Sequence, residues 1–584
     1  MELSERFTEE MSRFESFAGI PSYLVILQVI LSTFFLKLFS TAIYRITFHP
    51  FAKYPGPRWA KITDLYSAYH SLRGTLHIRT LQAYDKYGEK IIPSTLSAAE
   101  IRLGSVVRLG PNELVFNSAE ALQGTSHSTH EQSSSNLRNP EIYSSKNVQK
   151  SKGYAALVTT PGVHDVHNAV DFSIHKHKRR VISKGFSIPS LLAFEPTMIS
   201  TVDLLIQNLA KASIKSKNQD KWSKPINMGT SFKHTSLDVM GEFGFGQSFN
   251  LQTSTENHFL SGMIAGILTR GGVLLQCQAF QKIRIERFFN RKVHTAVMKY
   301  HSTVSKLVAD RLKEDKNAKS DLFSFIFDAQ YSNNGKHEDI ETMTVSELFT
   351  ESGFLLAAGS DTSSTTLSAL LFYLSRYPEC YKKVTTEIRS TFSSLSEIHS
   401  GPKITSLKYL RACIEEALRM SPPLGSALWR EVRSGGITID GESILAGYDI
   451  GCAFHAVQHN EDYFPNSFDF QPERWIASEH NPQEKIEEMK MAFAPFSLGP
   501  RGCPGKMMVY MEMGIMMARM VFCFDFRRPE DGGLGQVGEG VLGNQGGRGR
   551  VNEFQLMDHL TSTHVGPYAE FRLRDGLEGE FEGF

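Results

Sequence analysis

The sequence predicts a mainly α-helical chain with small β-sheets (an α+β class), carried behind an N-terminal membrane helix. Three observations point there. Residues 23–43 are apolar over the ~20 residues that a bilayer-spanning helix needs. A second apolar run extends from Thr344 to Tyr377, opened by a Thr-x-x-Glu capping box and stopped at Pro378. Strand-like segments are short: 106–116 alternates and turns at Gly110-Pro111, and 428–432 reads as a single strand.

Composition narrows the class. A chain of 584 residues is long enough for one large domain or several small ones. It is 41% hydrophobic and 21% charged, ordinary for a globular protein. The formal net charge of +1 gives a nucleic-acid partner no bulk electrostatic support, so none is expected. The six cysteines are scattered, with no C-x-x-C pair and no zinc spacing. That argues for a reducing compartment and against a disulfide framework.

The N-terminal stretch is read as a single-pass anchor. Five glutamates and two arginines precede it, whereas Arg45, Lys53, Arg58 and Lys61 follow. The basic flank stays cytoplasmic, which leaves the bulk of the chain in the cytosol. Lys37 lies close enough to that end to snorkel. The acidic leader and the lack of a small-residue cleavage site disfavour a cleaved signal peptide. The expected division is a lumenal segment 1–22, the anchor 23–43, a hinge 44–58 stiffened by Pro50, Pro55 and Pro57, and a main domain 59–584.

Within the main domain, Ser118 to Asn139 is Ser/Thr/His/Gln-rich and aperiodic, and is read as a flexible loop. His175 and Arg179 lie four apart on a basic helix and share a face. Taken alone, that face is an ordinary solvated one. The run from Thr344 is about 33 residues, a helix of roughly 50 Å. At its middle stand Ala358-Gly359-Ser360-Asp361-Thr362-Ser363. The glycine costs about 1 kcal/mol relative to alanine, and an acid and a hydroxyl within an apolar helix need a reason. Simple back-bonding to preceding carbonyls is one; function is another. Glu416 and Arg419 pair on one face of a helix that ends at Pro422-Pro423, and Arg474 follows in a loop. Residues 532–550 contain nine glycines and no aromatic, and are read as a flexible surface loop.

The most telling loop is Phe496-Ser-Leu-Gly499-Pro-Arg501-Gly-Cys503-Pro-Gly505, just before an apolar helix pattern starting at Lys506. A cysteine ahead of a helix start faces backbone N–H groups and the positive dipole end, which favours thiolate. A thiolate beside Arg501 suits a soft metal centre, haem iron among the candidates. A lone cysteine is otherwise a small buried hydrophobe.

The spacing Phe-x-x-Gly-x-Arg-x-Cys-x-Gly resembles the haem-binding signature of the cytochrome P450 family, the haem-thiolate monooxygenases. Ala358-Gly359-x-Asp361-Thr362-Ser363 resembles the family's oxygen-activation motif, Glu416-x-x-Arg419 its Glu-x-x-Arg helix, and Phe470-Gln-Pro472-Glu-Arg474-Trp475 its second arginine loop. The resemblance covers nearly the whole chain from the proline hinge on, with the motifs in family order.

It implies the cytochrome P450 fold, a single large haem domain, with haem b as cofactor and Cys503 as its metal ligand. It places Phe496, Gly505, Ala358 and Gly359 around the haem, and Arg179, Arg430, Arg501 and His175 (where the family commonly has a tryptophan) at its propionates. Asp361 and Thr362 become the catalytic proton relay, and Gly359 leaves room for dioxygen. Glu416, Arg419 and Arg474 become a structural lock, and Leu424, Ala427 and Leu428 touch substrate. Relative to the family, 89–104, 118–139 and 531–550 look inserted.

The implied activity is insertion of one oxygen atom into an apolar small molecule, with electrons from NADPH through a separate flavoprotein reductase. No nucleotide fingerprint stands in the chain itself. The implied setting is the endoplasmic reticulum membrane, haem domain to the cytosol, in fungal secondary metabolism such as terpenoid or polyketide hydroxylation. The alternatives are a haem-thiolate isomerase or dehydratase that uses no dioxygen, against which Asp361-Thr362 argues, and a non-catalytic haem-binding protein.

Overall fold

A computed structural model describes residues 22–88, 91–92, 101–102, 105–123, 142–215, 222–280, 291–315, 318–325, 343–530 and 533–581. The first helix, α1 (Ser22–Thr47), runs one turn beyond the expected anchor and leaves its apolar span unburied. Its base is tied to the main body: Arg45 Nη1 donates to the Ile62 carbonyl, and Arg108 Nη1 donates to the Arg45 carbonyl at 2.8 Å. The proline-rich stretch that follows is packed, with Phe51 and Tyr54 buried.

Ten further helices matter for the site. They are α2 (Leu65–Leu72), α3 (Leu76–Tyr87), α4 (Phe172–Gly185), α5 (Ile188–Ile214), α6 (Met228–Phe245), α7 (Phe259–Gln276), α8 (Arg291–Arg311), α9 (Val345–Leu374), α10 (Lys408–Met420) and α11 (Lys506–Cys523). By length and composition α5 and α7 could also cross a membrane, yet both pack into the body, with Leu205 and Leu260 buried.

The long helix α9 is the axis. Thr344 caps it in a reciprocal box, its hydroxyl accepting from the Glu347 N–H while the Glu347 carboxylate accepts from the Thr344 N–H. It ends at Leu374, three residues earlier than the sequence implies, because Tyr377 caps the next helix and Pro378 is that helix's first residue. Helix α6 crosses α9 closely: a Cβ on Gly359 would lie 2.5 Å from Met240 Sδ. One apolar core joins α9, α10 and α11 through Leu370, Leu418 and Met517; a second joins α9 to α6 and α7 through Leu356, Phe243 and Leu260.

The sheets are small. The strands that bear on the site are β1 (Val106–Gly110), β2 (Glu113–Phe116), β3 (Val148–Lys150), β4 (Ile226–Asn227), β5 (Arg430–Val432), β6 (Asp449–Cys452), β7 (Phe524–Arg527), β8 (Met557–Asp558), β9 (Ser562–Thr563) and β10 (Tyr568–Leu573). Five form one sheet in the order β1-β2-β6-β5-β3, antiparallel except for β6 beside β2. A second sheet is β7-β10-β4, and β8-β9 is a separate hairpin. Arg430 lies opposite Lys150 in the β5–β3 register, so two cations share one sheet end.

Two loop expectations change. In the stretch 118–139, residues Ala119–Gln123 are helical, with Ala121 and Leu122 buried; 124–139 lie outside the described residues. The glycine-rich stretch is not a free loop. From residue 533 it folds into turns held by Gly540 N–H to Arg550 O and Val541 N–H to Arg548 O, and Arg548 donates to the Gly74 and Leu556 carbonyls. The glycines allow close packing, as at Gly547, whose Cβ would collide with Ile78. Residues 1–21, and 89–104 apart from 91–92 and 101–102, lie outside the described residues.

Candidate cofactor and substrate site

A cavity of about 330 Å³ lies between α9 and the loop that precedes α11, walled also by α4, α7 and α8. Cys503 is, among the six cysteines, the one exposed; its exposure is to this cavity, deep within the fold. Burial pushes its thiol pKa up, opposed by the Gly505 N–H, the Arg179 charge and the Lys506 N–H. Burial therefore outweighs the helix start, contrary to the thiolate bias argued from sequence. A metal at the sulfur would supply the missing compensation by replacing the proton.

The loop is clamped from behind. Arg501 donates to the Ala169 and Val170 carbonyls, and Arg179 donates to the Gly502 carbonyl. Gly499 has φ +67°, and a Cβ there would sit 2.5 Å from the Tyr143 carbonyl oxygen, so only glycine fits this turn. Phe496 packs on Tyr510, centroids 5.0 Å apart, and lines the cavity with Gly505.

Cations converge on one part of the wall. Arg179, Arg430, Arg501, His175 and Lys150 all line the cavity. Burial, then Arg430, pulls the Arg501 pKa down to about 10; burial, then Arg430 and Arg501, pulls Lys150 well below the ordinary lysine value. Like charges thus crowd in a low-dielectric wall, an arrangement that a bound dianion would relieve. His175 is not one of the cations: burial and the flanking charges of Arg501, Lys150, Arg179 and Arg430 hold it down to about 3, so it is a neutral hydrogen-bonding ring, in keeping with its place where the resemblance puts a tryptophan. Lys150 has no motif around it. Only its register opposite Arg430 puts it here, and that pairing is invisible in sequence.

On the opposite wall, Ala358, Gly359 and Thr362 line the cavity. Thr362 Oγ1 donates to the Ala358 carbonyl at 2.8 Å, which leaves its lone pairs to accept from the cavity side. Gly359 owes its size to Met240 rather than to the cavity alone. Asp361 does not join Thr362. Its carboxylate is buried against Lys233 (Nζ–Oδ1 2.9 Å) on α6 and accepts from Thr561 Oγ1 at 2.6 Å, a residue of the β8–β9 turn two hundred positions away. Lys233 and Thr561 carried no sequence signal. Another buried acid, Glu512 on α11, also lines the cavity; burial raises it to about 7 while Ser236 donates to it.

Of the three residues expected to meet substrate, Leu424 and Leu428 line the cavity and Ala427 does not. Ala427 bridges Ala453 with its Cβ against Gly451, because residues alternate sides approaching β5. The structural residues come together. Arg419 makes a two-pronged pair with Glu416 (2.9 and 2.8 Å), Arg474 Nε lies 3.0 Å from the same carboxylate, and Trp475 Nε1 donates to it at 2.9 Å. Burial alone would raise the Glu416 carboxyl; Arg419 and Arg474 outweigh it and hold it below its ordinary value.

Residues 127–542 match the family model described as cytochrome P450. The chain is 34% identical to cytochrome P450 monooxygenase apf7 of Gibberella fujikuroi, over 91% of this chain and 96% of that protein. It is 34% identical to cytochrome P450 monooxygenase AKT7 of Alternaria alternata, over 91% and 94% respectively. It is also 34% identical to cytochrome P450 monooxygenase poxM of Penicillium oxalicum, over 93% and 94%.

Proposed function

This chain belongs to the cytochrome P450 family of oxygen-incorporating oxidoreductases, and we propose that it is a membrane-anchored haem monooxygenase acting on an apolar small molecule. The observation that carries the reading is the pairing of one cavity-facing cysteine with a crowded cation cluster across an otherwise largely apolar wall. A flat apolar cofactor with a soft metal at its centre and two carboxylates at one edge fits that donor set, and haem b is such a group. Bound there, haem supplies the redox chemistry that activates dioxygen.

The chain's own residues then have definable tasks. Cys503 holds the iron, and its loop is fixed by Arg179 and Arg501. Lys150, Arg179, Arg430 and Arg501 receive the carboxylates, with His175 as a neutral donor. Thr362 Oγ1 offers an acceptor that orders a water facing the cavity. Asp361 holds a proton-accepting carboxylate between Lys233 and Thr561, so delivery to Thr362 requires it to swing away from them or to act through water. Leu424 and Leu428 contribute apolar contact to substrate.

The finer proposal is a haem domain facing the cytosol from the endoplasmic reticulum membrane, with electrons from an NADPH-dependent flavoprotein reductase. Support comes from the exposed N-terminal helix with its basic C-terminal flank. The fungal origin of the relatives supports a place in fungal small-molecule metabolism, with terpenoid or polyketide hydroxylation as the expected chemistry. The test is the CO difference spectrum of the dithionite-reduced full chain, followed by NADPH consumption with a reductase. A haem-thiolate band that disappears in Cys503→Ser is expected; a purified chain that takes up no haem would overturn the reading.

A further inference from the structure

His167 is fixed in place without the use of its imidazole nitrogens. Its backbone N–H donates to Asp165 Oδ1 at 2.8 Å, and Lys150 Nζ donates to its carbonyl. Its ring lies flat on Phe354 of α9, centroids 5.1 Å apart and planes 6° from parallel. Tyr154, in the helical turn Lys152–Leu157 that follows β3, meets the same ring edge-on at 5.3 Å. Backbone and ring plane are both held, yet among the described residues neither ring nitrogen has a hydrogen-bond partner.

Those nitrogens are open to the cavity. His167 is half-buried and lines that space. Unpartnered ring nitrogens of His77, His455 and His459 are sealed within protein, and those of His167 are not among them. A polar ring fixed at a cavity wall gains its hydrogen bond from what occupies the cavity. Burial, then Lys150, Arg430 and Arg501, hold its pKa well below the ordinary imidazole value, so the ring offers one donor and one acceptor nitrogen and no charge. That complements a neutral oxygen rather than an ion. Leu157, Val166, Ile267, Leu268 and Leu560 line the same cavity, so the skeleton of a ligand meets apolar surface. In such a pocket a fixed polar group sets the orientation of the ligand.

We propose that His167 orients the substrate, and that the substrate class is an apolar molecule bearing a neutral oxygen, a hydroxyl or a carbonyl, which hydrogen-bonds to this ring. This rests on the monooxygenase reading of the same cavity and adds its substrate chemistry. Phe354, on which the ring lies, precedes Thr362 on α9 by two turns, about 12 Å along the axis. The oxygen is thus held away from Thr362, and oxidation falls several bonds from it. His167 is a positioning residue, with no part in the proton relay.

The test uses three ligands of one skeleton, tetralin, tetralol and tetralone, titrated into the full-length holoenzyme. Binding is read by the Soret shift and, independently of the haem signal, by the ligand-induced rise in melting temperature. His167→Phe keeps the ring stack and removes both nitrogens. It should weaken the oxygenated ligands roughly fivefold relative to tetralin, the usual worth of one neutral hydrogen bond, and leave tetralin binding unchanged. Weakening of tetralol and tetralone alike assigns the bond to the ring N–H; weakening of tetralol alone assigns it to the acceptor nitrogen. Either supports the proposal.

Three ligands affected equally, or none affected, overturns it. So does a His167→Phe protein that melts cooperatively but no longer retains haem, because the ring would then serve the cofactor. Should His167→Phe not melt cooperatively, the same comparison is read in His167→Leu. The wild-type spectrum reports separately: its absence is the failure of the monooxygenase reading, whereas a haem-thiolate band with ligand preference unchanged in the variant is the failure of this inference alone.

Discussion

At Thr362 a single hydroxyl separates two outcomes for the electrons the protein consumes. Its proton is bound to the Ala358 carbonyl, so its oxygen can hold a water at the cavity face. Thr362→Ala should leave the reduced CO spectrum unchanged and shift electron use from product to peroxide, read as the ratio of peroxide formed to NADPH consumed. Unchanged coupling would remove Thr362 from the relay. Asp361→Asn keeps the hydrogen-bonding shape but loses the base and the Lys233 ion pair, and should slow turnover by roughly 10²-fold with an enlarged solvent isotope effect. At the back of the fold, Glu416 is fully buried among Arg419, Arg474 and Trp475. Glu416→Ala leaves two guanidinium groups with an unmatched buried charge and should destabilise by about 3–5 kcal/mol, or prevent folding, as read by denaturant titration.

The crossing of α6 and α9 governs how closely the oxygen-side wall can approach. Gly359 belongs to a motif readable in sequence, but its partner Met240, more than a hundred residues earlier, was not. Gly359→Ala gains about 1 kcal/mol of helix propensity and loses about 1–3 kcal/mol by overpacking against Met240, because that side chain is itself 3% exposed. The net change should be small and destabilising. The double variant Met240→Ala/Gly359→Ala should be more stable than the sum of the singles by about 1 kcal/mol, measured as a double-mutant cycle in urea. An additive cycle would mean that α6 and α9 are not in contact at that point. The same reasoning explains why helix ends shifted: α9 stops at Leu374 because Tyr377 and Pro378 serve the following helix, a competition that a single-helix reading cannot see.

For the molecule as a whole, the C-terminal segment acts as a strap. Its β8–β9 turn sends Thr561 to Asp361, and its base is fixed by a buried group beside α3 in which His77 lies 3.8 Å from Asp558, His77 stacks edge-on to His455, and His455 stacks on His459. Glu553, Arg548, Arg550 and Arg419 are the other charged groups facing this set, and His559 adjoins it. Burial, and then His455, hold His77 and His459 well below the ordinary imidazole value, so both are neutral in the fold. The unfolded chain takes up their protons near pH 6.5 while the folded one does not. Stability from these rings is therefore fully present above that pH and falls as pH drops below it. The acid-induced drop in melting temperature should be shallower in His77→Gln than in the wild type; an identical slope would mean that His77 does not contribute.

Sequence alone determined the elements whose signals are local: the apolar N-terminal helix, the capped helix from Thr344, the Glu416–Arg419 pair three apart, and the loop that presents Cys503. Each is a matter of spacing within a few residues, so short-range periodicity and turn chemistry suffice. Tertiary structure decided which groups meet across the chain. It set Lys150 beside Arg430 by strand register, turned Asp361 to Lys233 and Thr561, and rotated Ala427 out of the cavity that Leu428 lines. It also made burial, rather than the helix start, the stronger influence on the Cys503 thiol. The physical reason is common to all four: pairing and desolvation depend on neighbours brought from far along the chain, and no local pattern encodes them.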